Sequence, residues 1–265
     1  MVEPRFAEHL AEARGLYPED NIVALCLQGS QNYGLNYEGS DVDTKLILTP
    51  TFRDIALNNQ PVSTTRVREN NEHIDLKDFR LYAKTFLKQN INFVEILFTK
   101  YNWVNPMYAE QWNRLVEARE QIAHYSPRLA VKAMVGMMME KYHAMDRRYP
   151  AKADIIEKYG YDGKQLHHLL RIAEFLSRYI SGDKYEDCLI TKQKDFLLYI
   201  KTQQMPWNEG KMLADFTLDT TKAFIDTWLR SQPLEDKDPD VEALLEDVQY
   251  EIMKISIQKE FEKNG

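Results

Sequence analysis

Residues 27–47 read LQGSQNYGLNYEGSDVDTKLI, and this polar loop connects two apolar runs. The first run, IVALCL at 22–27, is apolar and β-branched, which is typical of a buried strand, and it leads into a Gly-Ser turn. The second run, SDVDTKLIL at 40–48, predicts another strand. Because side chains alternate along a strand with a period of two, Asp41 and Asp43 are then expected on the same face.

The two aspartates predict a binding site for a divalent cation. Like charges about 4 Å apart repel by about 4 kcal/mol at an effective dielectric constant of about 20, so the pair is stable mainly with a cation between them. Mg²⁺ meets this requirement. Gly29 lets a phosphate approach the backbone closely, while the Ser30 hydroxyl and N–H groups at the start of a short helix through residues 31–33 bind phosphate oxygens. We therefore expect a metal site and a phosphate site on adjacent strands.

A two-metal site needs a third carboxylate, which helps to bind the second ion and takes the proton from the attacking hydroxyl. Asp75, in the predicted strand HIDLK at 73–77, is the best candidate, because its two apolar neighbours point to the opposite face. Glu72 and Asp78 are the alternatives. A lone D-x-D pair is more often a solvated strand start, but the preceding Gly-Ser turn and the later Asp favour a functional site.

The order of these features, a strand, Gly-Ser, a gap, D-x-D and a later Asp, resembles the DNA polymerase β-type nucleotidyltransferase superfamily. Three segments further resemble a family of nucleotidyltransferases associated with RNA ligases in RNA-repair gene clusters. They are GSQNYGLNYEGSDVD at 29–43, LKQNINFVEILF at 87–98 and YDGKQLHHLLRI at 161–172. Ile91 is a departure, since the family more often has proline at this position.

This resemblance implies an activity and the residues that carry it. Gly29 and Ser30 would hold the triphosphate of an NTP, and Asp41 and Asp43 would bind the metal, with Asp75 assigned as the third carboxylate. Two Mg²⁺ ions are the expected cofactors, with Mn²⁺ as a substitute. An NMP would pass from the NTP to an acceptor hydroxyl with release of pyrophosphate. The family context points to an RNA end as the acceptor and to an RNA ligase as a partner.

Residues 162–181 predict an amphipathic helix on which Lys164, His168 and Arg171 share one face, because they are spaced at i, i+4 and i+7. A solvated surface is the ordinary explanation of such a stripe. Phe175 lies among these polar positions, and the third family segment covers all three basic residues, so we expect a nucleotide-binding face. Lys164 and Arg171 would contact phosphates of the triphosphate or of nucleic acid, and His168 would add a hydrogen bond or act as an acid or base.

The whole chain of 265 residues predicts an α+β fold. We expect a small mixed β-sheet nucleotidyltransferase domain with flanking helices at 1–125, followed by an all-α domain at 126–265, with a turn signal, YSP, between them. Helical periodicity predicts helices at 6–14, 78–88, 92–99, 106–122, 128–146, 162–181, 192–203, 210–231 and 239–262. No apolar stretch approaches the ~20 residues of a membrane span and the N-terminus is charged, so we expect a cytoplasmic protein without a membrane partner.

The net charge of the chain does not decide which molecule accepts the NMP. The formal net charge is −7, with 34 basic and 41 acidic residues, which argues against nucleic-acid binding through bulk charge, so RNA would need a local basic patch. The same chemistry on a protein side chain or a small molecule is therefore an alternative, and the acidic charge mildly favours it. A non-catalytic nucleotide or RNA sensor is a second alternative, which the presence of Asp41, Asp43 and a plausible third carboxylate disfavours.

Overall fold

The computed structural model describes residues 2–37, 39–148, 150–202 and 205–264, and it confirms the α+β fold class. The chain divides into two compact units. The first consists of Met1–Asn32, Asn36–Ser126 and Lys237–Gly265, and the second consists of Tyr33–Leu35 and Pro127–Asp236. Within the described ranges, no helix is long and apolar enough to cross a membrane.

A mixed sheet, five-stranded within the described residues, forms the centre of the first unit. Its strands are β1 (Ile22–Gln28), β2 (Asp43–Leu48), β3 (Ser63–Val67), β4 (His73–Asp78) and β5 (Asn102–Val104). The spatial order is β3-β4-β2-β1-β5, in which β2 and β4 are parallel and the other pairs are antiparallel. The helices of this unit are α1 (Val2–Leu16), α2 (Phe52–Ala56), α3 (Phe79–Phe86), α4 (Ile91–Val94), α5 (Ala109–Glu117), α6 (Arg119–Ala123) and, at the C-terminal end of the chain, α13 (Pro239–Asn264).

One face of the sheet is apolar and packs against α1. Leu46 and Leu48 of β2, and Ile74 and Leu76 of β4, occupy alternate strand positions and form one buried cluster with Ala13 of α1. Because side chains alternate along a strand, the intervening positions of β2 and β4 point to the opposite face. That second face carries the polar candidates of the sequence analysis.

Three predictions for this unit are corrected. The second strand begins at Asp43 rather than at residue 40, since the Val42 N–H donates to the Glu72 carboxylate (3.0 Å). β3 was not predicted, because all its side chains are exposed and its sequence, STTRV, shows no apolar alternation. The single helix predicted at 106–122 is divided into α5 and α6 at Ala118.

The second unit is helical. Its helices are α7 (Pro127–Ala144), α8 (Ala153–Tyr159), α9 (Gly163–Ile180), α10 (Tyr185–Leu189), α11 (Lys194–Lys201) and α12 (Trp207–Ser231). Asp162 caps α9, because its side chain accepts a hydrogen bond from the Lys164 N–H (2.9 Å). α9 is the central helix, since it buries Leu166, Leu169 and Ile172 and contacts α7, α10, α11 and α12.

The structure assigns α13 to the first unit, whereas the sequence predicted residues 126–265 as one helical domain. Arg114 of α5 donates hydrogen bonds to Asp247 (2.6 Å) and Glu251 (3.0 Å) of α13. These partners are more than 130 positions apart in the chain. Helical periodicity predicts where a helix forms, but it contains no signal for such a distant contact, so it could not assign α13 to a unit.

Candidate functional site

Asp75 lies on the polar face of the sheet. Its register partner is Lys45 in the β2–β4 pair and Thr65 in the β3–β4 pair, and residues directly opposite each other point to the same face. Lys45 Nζ lies 3.2 Å from Asp75 Oδ2, and the Thr65 hydroxyl donates to Asp75 Oδ1 at 2.6 Å. Gln28, the last residue of β1, donates from Nε2 to Asp75 Oδ2 at 3.0 Å. Four strands therefore contribute to one hydrogen-bonded cluster.

The partners of Asp75 keep its carboxyl group ionised. Burial raises the pKa of Asp75, but the charge of Lys45 and the hydrogen bonds from Thr65 and Gln28 outweigh burial, so the pKa lies below its usual value. The Lys45 side chain is only 4% exposed, and its Nζ lies 4.5 Å from the centroid of the Phe93 ring. Asp75 is therefore an anion that already has an internal cation beside it.

Asp43 begins β2 on the same face, two residues before Lys45. Its Oδ1 accepts a hydrogen bond from the His73 backbone N–H (2.8 Å) and lies 3.1 Å from His73 Nδ1. The register places Asp43 diagonally from Asp75 across the parallel pair, with roughly 8 Å between their Cα atoms by strand geometry. Asp41 is exposed and lies before the strand, so strand alternation does not fix its direction.

Glu72 and Asp78 are the alternatives for the third carboxylate, but each already has a structural role. Glu72 is fully buried, and its remaining partners are basic or amide side chains: Arg5, His9, Arg68 and Asn70. Asp78 caps α3, because its Oδ1 accepts from the Arg80 N–H at 2.9 Å. By strand alternation, Asp78 also belongs to the opposite face of β4. Of the three candidates, Asp75 is the one that shares a strand face with Asp43.

Gly29 and Ser30 form the turn that follows β1. Gly29 has a φ of +86°, which side chains of L residues rarely allow, and no atom lies within 4 Å of the place where a Cβ would be. The short helix predicted at 31–33 is instead a turn, in which the Asn32 N–H donates to the Gly29 carbonyl (2.9 Å). The backbone here is open on the side where the sequence predicts a phosphate.

Glu95 holds this turn in place and was not predicted from the sequence. It is buried, and it accepts hydrogen bonds from the Gly29 N–H (3.4 Å) and the Asn32 side-chain amide (3.5 Å). The same Asn32 amide donates to the Leu27 carbonyl (3.0 Å), and its Oδ1 accepts from the Thr99 hydroxyl (2.8 Å). A single acidic residue in the apolar run FVEILF was the available signal, because a carboxylate is rarely buried without partners.

The donor groups of this face fit Mg²⁺ in part. The carboxylates of Asp41 and Asp43 supply hard oxygen ligands, and Mg²⁺ commonly binds one or two carboxylates together with substrate phosphates. Asp75 would have to exchange its contact with Lys45 for the metal. Among the described residues, no group of three or more His, Cys, Asp or Glu side chains is arranged to hold a metal ion. The two-ion centre with three carboxylates therefore stays a prediction.

The predicted nucleotide-binding residues of α9 differ in exposure. Lys164 is exposed, His168 is half-buried and Arg171 is only 4% exposed. The Arg171 guanidinium stacks on the Tyr33 ring, with 3.8 Å between Cζ and the ring centroid. Phe175, predicted among the polar positions, is instead buried and packs edge-on against a tyrosine ring of α10. Its role is therefore in the core of the second unit.

Comparison of the chain with protein-family models gives no match, and comparison with curated proteins gives none either. The candidate site in the first unit therefore rests on the arrangement of its own side chains. The structure brings Asp75 together with Lys45, Gln28 and Thr65, and it places Asp43 on the same face. Gln28 and Thr65 had no signal in the sequence, since their contribution depends on strand register.

Proposed function

We propose that this chain is a Mg²⁺-dependent nucleotidyltransferase that transfers an NMP from an NTP to a hydroxyl group at an RNA end. One observation carries the proposal: Gln28, the last residue of β1, is the register partner of Asp43, the first residue of β2. The turn that starts at Gly29 therefore begins beside the Asp43 carboxylate. A phosphate-binding turn beside a metal-binding carboxylate is the arrangement that phosphoryl transfer requires.

The proposed roles follow from this geometry. The N–H of Gly29 is directed to Glu95, so Gly29 contributes an open backbone, and the Ser30 hydroxyl and the following N–H groups would bind the phosphate oxygens. Mg²⁺ held by Asp41 and Asp43 would neutralise charge on the transferring phosphoryl group. His73 fixes the direction of the Asp43 carboxylate through its backbone N–H.

In the proposed reaction, the acceptor oxygen attacks the α-phosphorus of the NTP while the bond to the bridging β-phosphate oxygen breaks. Pyrophosphate leaves, and the acceptor proton passes to a carboxylate. Asp75 is the proposed proton acceptor, because it is ionised and shares a strand face with Asp43. Lys45 also supplies a positive charge on the same face, where negative charge develops during transfer.

The test is incubation of the purified chain with Mg²⁺ and each α-labelled NTP, with and without a pool of RNA. Label and pyrophosphate are followed together, and Asp43→Asn is the inactive control. We expect label in RNA and an equal amount of pyrophosphate for at least one NTP. Both signals should disappear in Asp43→Asn, whereas Glu69→Gln, an exposed acidic residue in the turn before β4, should retain them.

Other outcomes would assign the acceptor differently. Pyrophosphate release without labelled RNA would contradict an RNA acceptor, and it would favour transfer to a protein side chain or a small molecule. Binding of an NTP without turnover would contradict the proposed reaction and favour a non-catalytic sensor. In that case the pair of Lys45 and Asp75 would be a purely structural ion pair.

A further inference from the structure

Arg171 is a buried cation whose hydrogen-bonding capacity is largely unused. It is 4% exposed, and its Nε and Nη1 atoms are inaccessible to water and have no hydrogen-bond partner among the described residues. A buried charged donor without a partner has lost its hydration and gained no hydrogen bond in return, which destabilises the fold. Such a group in a folded protein calls for an explanation, and a functional role is one of those known.

The Arg171 guanidinium packs against an aromatic ring. Tyr33 belongs to the short segment Tyr33–Leu35 and not to α7 or α9. The centroid of its ring is 3.8 Å from Arg171 Cζ. This distance is that of a cation–π contact, which stabilises the charge of the guanidinium without using its N–H donors. The planar fork of N–H donors in a guanidinium matches the oxygen atoms of a phosphate group.

Further basic residues lie near His168, which precedes Arg171 by three positions in α9. Burial is the largest cause of a pKa of His168 well below its usual value, and electrostatic interactions with His167, Arg171, Lys164 and Lys141 depress it further. His168 is therefore neutral near pH 7, so it can donate or accept a hydrogen bond without adding charge. Positive charge from α7 and α9 thus converges near one neutral imidazole.

We infer that Arg171, stacked on Tyr33, binds a terminal phosphate group of a substrate. This inference deepens the proposed function, on which it rests for the identity of the substrate. Nε and Nη1 are covered in this structure, so a ligand contacts them only where the side chains around them move aside. A phosphate at the end of a chain needs less room for this than an internal phosphodiester, which is flanked by two bulky nucleosides. The terminal phosphate belongs either to the NTP or to a 5′-phosphorylated RNA end.

Isothermal titration calorimetry of the full chain with tripolyphosphate tests this site. Arg171→Met keeps the length and packing of the side chain but removes its donors, and Lys194→Met removes one exposed charge from α11 as a matched control. We expect Arg171→Met to weaken tripolyphosphate binding at least tenfold, and Lys194→Met to change it less than twofold. Arg171→Lys, which keeps the charge but loses the planar fork, should fall between them.

Two further titrations distinguish the sources of the phosphate. ATP competing with tripolyphosphate would indicate the NTP, and preference for a 5′-phosphorylated RNA oligonucleotide over its unphosphorylated form would indicate the RNA end. Both the competition by ATP and the preference for the 5′-phosphorylated oligonucleotide should disappear in Arg171→Met. Equal weakening by Arg171→Met and Lys194→Met would overturn the inference, because it would show a general charge effect, and so would the absence of tripolyphosphate binding to the unmodified chain.

Tripolyphosphate binding is measured without catalysis, so the failure of this inference and the failure of the proposed function can be distinguished. If the chain binds tripolyphosphate through Arg171 but transfers no nucleotide, the result would support this site and contradict the proposed function. If Arg171→Met changes neither nucleotidyl transfer nor tripolyphosphate binding, the result would support the proposed function and overturn this inference. If Arg171→Met does not fold, the comparison of Arg171→Lys with Lys194→Met decides the question.

Discussion

Asp75 in the first unit and Arg171 in the second are both charged groups with restricted access to water, but their surroundings differ. Asp75 accepts hydrogen bonds from Gln28, Lys45 and Thr65, whereas Arg171 Nε and Nη1 have no partner within the described part of the chain. The first group is stabilised by the protein itself. The second lacks acceptors for these two nitrogens, and in our proposal a ligand supplies them. Charge would then serve positioning in one unit and recognition in the other.

The largest expected effect concerns Asp43, which lies on the same face as Asp75. Asp43→Asn keeps the shape of the side chain but removes the negative charge that would hold Mg²⁺. We expect kcat for nucleotidyl transfer to fall about 1000-fold, which corresponds to about 4 kcal/mol of transition-state stabilisation. Single-turnover kinetics measure this effect, and a decrease of less than tenfold would show that Asp43 is not a metal ligand in the reaction.

The second prediction concerns His167, which is buried in α9 near Arg171. Burial lowers the pKa of His167 to about 4, with a smaller contribution from neighbouring cations, while a hydrogen bond to the Leu197 carbonyl opposes the shift. The unfolded chain binds a proton near pH 6.5 and the folded chain does not until about pH 4. The free energy of unfolding should therefore fall by about 3 kcal/mol as the pH decreases across this window.

Urea unfolding between pH 7 and pH 4 tests this prediction. His167→Asn retains a donor for the Leu197 carbonyl but does not titrate, so it should flatten the decrease in stability. His143→Asn, at an exposed position of α7, is the matched control and should leave the decrease unchanged. Identical pH profiles for the unmodified chain and His167→Asn would contradict the assignment of a neutral His167.

The third prediction tests the internal cation of the first unit. Lys45→Met leaves Asp75 without its ammonium partner, although Thr65 and Gln28 remain. Because the Asp75 side chain is 33% exposed, water compensates in part, and we expect the free energy of unfolding to fall by about 2 kcal/mol. The control Lys84→Met, at an exposed position of α3, should change it by less than about 0.5 kcal/mol.

The smallest expected effect is that of Arg171→Met on stability. The substitution loses the contact with the Tyr33 ring, but it also removes buried donors that have no described partner, and the two effects are of opposite sign. We expect the free energy of unfolding to change by less than about 1 kcal/mol. A loss above about 2 kcal/mol in thermal or urea unfolding would show that Arg171 stabilises the fold rather than recognises a ligand.

Local patterns predicted the elements that carry most of the candidate site. The apolar run at 22–27 and the segment at 73–77 are confirmed as β1 and β4, because each has a local signal of apolar continuity or alternation. The candidate role of Asp75 also followed from alternation, since Ile74 and Leu76 are buried on the opposite face. The left-handed conformation of Gly29 agrees with the expectation of a glycine-dependent turn.

Other features depend on register and tertiary contacts, which the sequence does not contain in local form. Thr65 reaches Asp75 only because β3 pairs with β4, and β3 has no apolar alternation that would reveal it. The helical wheel grouped Arg171 with the exposed Lys164, but packing in the second unit buries Arg171 against Tyr33. Periodicity predicts which residues share a face, and tertiary packing decides which part of that face is covered.

The most direct test of the account is a crystal structure of the full chain with Mg²⁺ and an NTP analogue that cannot be cleaved between the α- and β-phosphates. We expect the triphosphate at the turn of Gly29 and Ser30, with Mg²⁺ about 2.1 Å from an Asp43 carboxylate oxygen and bound also to phosphate oxygens. A nucleotide bound elsewhere, with Asp43 still paired to His73 and no metal beside it, would contradict the proposed site.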